Sequence, residues 1–168
     1  RTWLGSPIPN LIYGFNFGFD VQGFDFSVDF NGVSGNKIYN AKRAARGFGI
    51  PNYEASFLDR WTGAGTSNAE PRITNGGYNY QVSDRFLEDG SFFRLRSAVL
   101  GYSLPKKLLE RIKLNSLRIY ASGNNIFTWA KYSGFTPEIS SDNVLQVGID
   151  GGVYPLSRTW LAGINISF

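Results

Sequence analysis

The chain has 168 residues, of which 42% are hydrophobic and 16% aromatic, with 20 glycines and a formal charge of +4. It contains no Cys, Met or His, which excludes disulfide scaffolds and thiolate metal centres and removes the usual general base and the commonest transition-metal ligand. No cofactor is expected. Asp25 and Asp29 are the one suggestive carboxylate pair, but they sit on the polar side of an alternating segment, where a solvated carboxylate explains them better than acid–base chemistry. The basic residues are scattered, with local groups only at Lys42, Arg43, Arg46 and at Lys106, Lys107, Arg111, Lys113, and no nucleic-acid-reading motif accompanies them. Neither an initiating Met nor a signal-peptide pattern stands at Arg1, so we expect an internal piece of a longer precursor.

No run approaches the roughly 18 apolar residues of a transmembrane helix, so any membrane crossing falls to strands. The first predicted strand runs from Leu11 to Phe19, with Leu11, Tyr13, Phe15, Phe17 and Phe19 alternating against Gly14, Asn16 and Gly18. After a tight turn, Phe24, Phe26, Val28 and Phe30 alternate with Asp25, Ser27, Asp29 and Asn31. These two segments read as a hairpin with one apolar face. A third strand is predicted from Phe92 to Tyr102, with Phe93, Leu95 and Val99 on one side and Arg94 and Arg96 on the other. Its parity is broken, because Leu100 and Tyr102 share the side of the arginines, as at a strand end or a bulge.

One or two helical turns are expected in Pro105 to Lys113, where Leu108, Leu109 and Ile112 cluster and Pro105 suits a first helical position. The fourth strand, Ser116 to Phe127, sets Leu117, Ile119 and Ala121 against Arg118, Tyr120 and Ser122. The fifth, Thr159 to Phe168, sets Trp160, Ala162, Ile164, Ile166 and Phe168 against Thr159, Gly163, Asn165 and Ser167. Connections alternate between short and long, the long ones covering about 34–91 and 128–158. Outer-membrane barrels have short periplasmic turns and long outer loops, so one orientation accommodates every element. The expected fold is all-β: the C-terminal strands of a large antiparallel transmembrane β-barrel, residues 1–168 forming part of one such domain. Five strands cannot close a barrel, since the smallest have about eight.

Several segments are similar to a known family. Ser83 to Arg96, including Asp89-Gly90-Ser91-Phe92-Phe93-Arg94-Leu95-Arg96, then Leu100-Gly101-Tyr102-Ser103-Leu104-Pro105, resembles a block of the SusC/RagA family of TonB-dependent outer-membrane transporters. So do Leu117 to Thr128, Gly5 to Asn10, Gly35 to Asn40, Arg60-Trp61-Thr62, and Gly148-Ile149-Asp150 leading to Tyr154-Pro155 and Arg158-Thr159. The resemblance implies a barrel of about 22 strands with a plugged lumen, the plug lying upstream of Arg1. It also implies a SusD-like surface lipoprotein as cap, energy supplied through TonB at the plug, and active import of oligosaccharides or oligopeptides across the outer membrane of a Gram-negative bacterium, with dimers of transporter–lipoprotein pairs as a further expectation.

Within that frame Arg94, Arg96, Arg118 and Tyr120 share the polar faces of their strands and are candidate contacts for solute or plug. Trp61, Tyr78, Tyr80, Trp129, Tyr132 and Phe135 are loop aromatics able to stack on sugars or meet the cap, although the same residues serve equally to fold the loops or form the membrane girdle. Trp160, Ile164, Ile166 and Phe168 resemble a barrel-assembly signal. Asp142 and Asp150 lack the spaced oxygens of a Ca²⁺ loop and are read as turn residues. Two rivals remain open: a passive or structural barrel, distinguished by the absence of a plug, and a soluble β-sandwich binding module.

Overall fold

Alternation with period two places every second side chain on one face of a strand, and the apolar runs above do form strands. The computed structural model of the chain describes residues 2–45, 53, 55–74, 76–139, 141 and 143–168. Its long strands are β1 (Leu11–Val21), β2 (Phe24–Ser34), β5 (Phe92–Ser103), β6 (Ser116–Ala130) and β7 (Thr159–Ser167). Between them lie two short strands, β3 (Lys37–Tyr39) and β4 (Leu87–Asp89), and two short helices, α1 (Ala41–Ala45) and α2 (Lys106–Arg111). The long strands form one antiparallel sheet in the order β1-β2-β5-β6-β7, and β3 pairs with β4 in a separate ribbon. Among the described residues no helix is long and apolar enough to cross a membrane.

Register carries each face across the whole sheet. Phe19, Phe26, Leu100, Ala121 and Ala162 are successive partners on the apolar face, whereas Asp29, Ser97, Asn124 and Thr159 are successive partners on the polar one. The β1–β2 turn is two residues long, with Gln22 at φ 49° and Gly23 at φ 88°. Positive φ at both positions matches the twist of a tight hairpin, and glycine adopts it at no steric cost. At the same end α2 fills the β5–β6 connection where the leucine spacing predicts it.

Two readings of the strands are corrected. In β5 the pairing shifts between Leu95 and Ser97, so that Arg96 is an extra residue against β2 and stands opposite Asn125 and Ile126 of β6. Beyond this bulge the parity inverts. Val99 joins the polar face opposite Ser27, while Leu100 and Tyr102 join the apolar face opposite Phe26 and Phe24. The second correction concerns loop boundaries: β2 continues to Ser34 and β6 to Ala130, so the long loops are 35–91 and 131–158. Trp129 is therefore a strand residue, held in register by its partner Phe93.

Among the described residues none packs over the apolar face. Phe15 is 61% exposed and Ile164 60%. Burial is concentrated instead at the opposite end from the hairpin turn, where the loops fold over Ile38, Phe57, Phe86 and Phe92.

Candidate functional site

Among the described residues, the paired charges lie on the polar face of the sheet and in the two long loops. Near the hairpin end Arg118 of β6 donates from Nε to Asp25 Oδ1 at 2.8 Å and from Nη2 to Oδ2 at 2.5 Å. This pair reaches over β5, and it does so at Gly101, where a Cβ would collide with both the carboxylate and the guanidinium. The Arg118 guanidinium lies 5.1 Å from the ring of Tyr120, and that ring covers Gly163 on β7. Four residues further along β2, Asp29 accepts from Asn16 at 2.5 Å and from Ser97 at 2.6 Å. The expected inward set is thus tied down along the wall, with Arg96 exposed at its bulge.

Arg94 joins the wall to the second loop. Its buried side chain donates to Thr128 at 2.9 Å and pairs with Glu138 at 2.5 Å. The first and second loops are also joined to each other. Tyr39 and Ile149 form a bridge, the Asp150 N–H donates to the Tyr39 carbonyl at 2.9 Å, and the Lys42 N–H donates to the Asp150 carbonyl at 3.0 Å. Glu88 accepts from Asn40 at 3.0 Å and from the N–H and hydroxyl of Ser133, both at 2.8 Å.

Asp150, 2% exposed, is the centre of this junction. Its carboxylate accepts from the N–H groups of Gly152 at 2.7 Å and Val153 at 2.9 Å, and from the Tyr132 hydroxyl. Burial is the largest influence on it and opposes its charge, but the Tyr132 hydroxyl, the two N–H groups and Lys42 together outweigh burial and hold the carboxyl below its usual range. Burial, then the bond to Asp150 and the charges of Asp150 and Glu88, push the Tyr132 phenol well above its usual value. Turn chemistry is what Asp150 performs. Asp142 and Arg46 lie outside the described residues.

The remaining aromatics divide. Trp61 is partly exposed and walls an open cleft of about 440 Å³ with Asn68, Arg72, Asn79 and Arg85. Glu70 beneath it is buried and takes Arg43 and Arg85 at 2.5 Å each. Tyr78 is 89% exposed, whereas Tyr80 and Tyr132 are buried. Phe135 receives the Lys42 ammonium 4.1 Å from its ring centre. Trp129 falls on the apolar face, stacked 5.5 Å from Phe93, and so stands apart from the inward groups. Trp160, Ile164 and Ile166 partner Gly123, Ile119 and Leu117 on that same face, with Phe168 exposed beyond the strand end.

Sequence reading missed Glu70, Glu88 and Glu138, because nothing local marks a carboxylate whose partners lie dozens of residues away. Among the described residues no group of three or more acidic, His or Cys side chains is placed to hold a metal ion. Acids and bases neutralise one another across strands and loops, an arrangement that shapes a wall and its rim.

No family model matches the chain. It is 32% identical over 174 residues to a TonB-dependent receptor of Formosa agariphila, a match covering 100% of this chain and 17% of the relative. It is 27% identical over 165 residues to the TonB-dependent receptor SusC of Bacteroides thetaiotaomicron, covering 97% of this chain and 16% of that protein. Among solved structures it is similar to the RagAB peptide importer in its open-open state, with a TM-score of 0.80 at 27% identity over 98% of this chain and 18% of the other. The closed-closed state gives 0.79 at 28% identity over the same shares. The chain spans less than a fifth of the length of each of these proteins. Two-faced antiparallel strands, polar inward pairs and long loops at one end agree with these likenesses over the whole chain, which belongs to the SusC/RagA family of TonB-dependent transporters and forms an open segment of their barrel.

Proposed function

We propose that this segment supplies the last strands and two outer loops of an outer-membrane importer that moves oligopeptides or oligosaccharides inward with energy from TonB and with a SusD-like lipoprotein as cap. The observation that carries the reading is the sheet itself: one face apolar and largely exposed, the other ordered by the Arg118–Asp25 ion pair and by hydrogen bonds that span strands. A soluble sandwich buries its apolar face against a second sheet; this sheet has none among the described residues. Similarity to a peptide importer in both open-open and closed-closed states, at nearly equal TM-scores, suits a rigid wall against which other parts move. The relatives are receptors and importers, which supports transport over catalysis.

The test is uptake by cells carrying the full-length protein, with and without TonB, on defined oligopeptide and oligosaccharide mixtures. Uptake of one mixture, lost without TonB and weakened by Trp61→Ala at unchanged barrel abundance, is the expected result. Full uptake without TonB would replace this reading with the passive barrel.

A further inference from the structure

The outer end of the apolar face carries a feature that a plain lipid-facing wall does not need. Here the rings of Tyr13, Phe93 and Trp129 follow one another across β1, β5 and β6, with centroids 6.2 Å and 5.5 Å apart and planes inclined by 23° and 26°. They line an open cleft of about 480 Å³ whose rim is polar, formed by Asp89, Ser91 and Lys131. Asp89 is already engaged: Ser91 donates to its Oδ1 from N at 3.0 Å and from Oγ at 2.7 Å. Lys37, the strand partner of Asp89, and Lys131 both lie close enough to act on its charge. Both lysines are exposed, and neither has an ion-pair partner among the described residues. With Lys37 standing beside Asp89, just outside the cleft lining, the rim and its surround hold one surplus positive charge next to an aromatic floor.

Aromatic rings in barrels sit at the level of lipid headgroups, and a cation just above them meets whatever anion the headgroup carries. We propose that this cleft seats a phosphorylated glycolipid of the outer leaflet, with its acyl chains on the Tyr13, Phe93 and Trp129 rings and its phosphate on Lys131 and Lys37. The site rests on the import reading only in that this face meets the membrane. It is separate from the path of the solute, because Trp129 and Phe93 lie on the face opposite Arg94 and Thr128.

The experiment uses the full-length transporter in nanodiscs of neutral phospholipid containing a small share of a diphosphorylated glycolipid or the same glycolipid without phosphate, with retained lipid measured by native mass spectrometry. The phosphorylated form should be retained about tenfold better. Lys37→Gln with Lys131→Gln should abolish that preference, both side chains being exposed and neither forming an ion pair among the described residues. High salt should erode it in the unmodified protein, and Trp129→Leu should weaken retention of both forms. Equal retention of the two forms by the unmodified protein, or a preference unchanged in the double variant, overturns the site. Uptake and its TonB requirement are measured separately, so failure here leaves the import reading standing, and failure of import leaves the lipid result standing.

Discussion

A buried carboxylate is costly unless its oxygens are satisfied, and Asp150 shows how one residue meets that demand while joining two loops distant in sequence. Its backbone carries bonds to Tyr39 and Lys42 and its side chain takes Tyr132, Gly152 and Val153. Because its folded pKa lies below the ordinary 3.8, its contribution is present above that value and is lost as pH falls through the lowered one. Tyr132 works in the opposite sense. Its raised pKa means stabilisation is present below the ordinary 10.0 and is lost as pH climbs through the folded value. Protection factors of the Lys42, Gly152 and Val153 amides should therefore stay level between these limits and fall in acid below pH 3.8. Tyr132→Phe should lower the same protection by about 1–3 kcal/mol, the cost of a buried polar group left short of a partner. Ala121, in mid-strand, should be unaffected. Uniform loss across strand and loop amides would mean that the junction is not a local unit.

At the scale of elements, the β5 bulge at Arg96 decides which side chains face lipid. A single inserted residue inverts the parity of a strand, and β5 would otherwise direct Leu100 and Tyr102 inward beside the Asp25–Arg118 pair. In β6, where Leu117, Ile119 and Ala121 stay apolar in phase through Phe127 and Trp129, the face could be read directly from the sequence. The same faces set the cost of a misplaced charge. Arginine at Phe15, Phe26, Ile119 or Ile164 should destabilise the full-length barrel by about 2–4 kcal/mol near mid-membrane, and distinctly less at Asn16, Ser27 or Asn165. Reversible unfolding from bilayers measures the difference. Equal costs on the two faces would contradict the assignment of inside and outside.

For the whole molecule, the governing fact is that the sheet is open. β1 and β7 are its outermost strands, and unpaired backbone groups have no place in hydrocarbon. The 168-residue chain produced alone without detergent should accordingly associate through its apolar face and edges, showing no cooperative melt in near-UV dichroism. A monodisperse, cooperatively melting monomer would sink the barrel-segment reading.

Alternating apolar and polar residues, the absence of long apolar runs, and the rhythm of short and long connections determined the strands, their faces outside β5, and the class of protein, because period two and turn chemistry are local properties written in neighbouring residues. The tertiary structure alone decided where β5 changes phase, since Arg96 becomes a bulge only against its partners on β2 and β6. It alone separated Trp129 from Trp61 and Tyr132, and it alone revealed Glu70, Glu88, Glu138 and Asp150 as the residues that hold the loops. Those roles depend on partners brought together from 15 positions away, as Arg85 for Glu70, to more than a hundred, as Tyr39 and Lys42 for Asp150, a proximity that only folding creates.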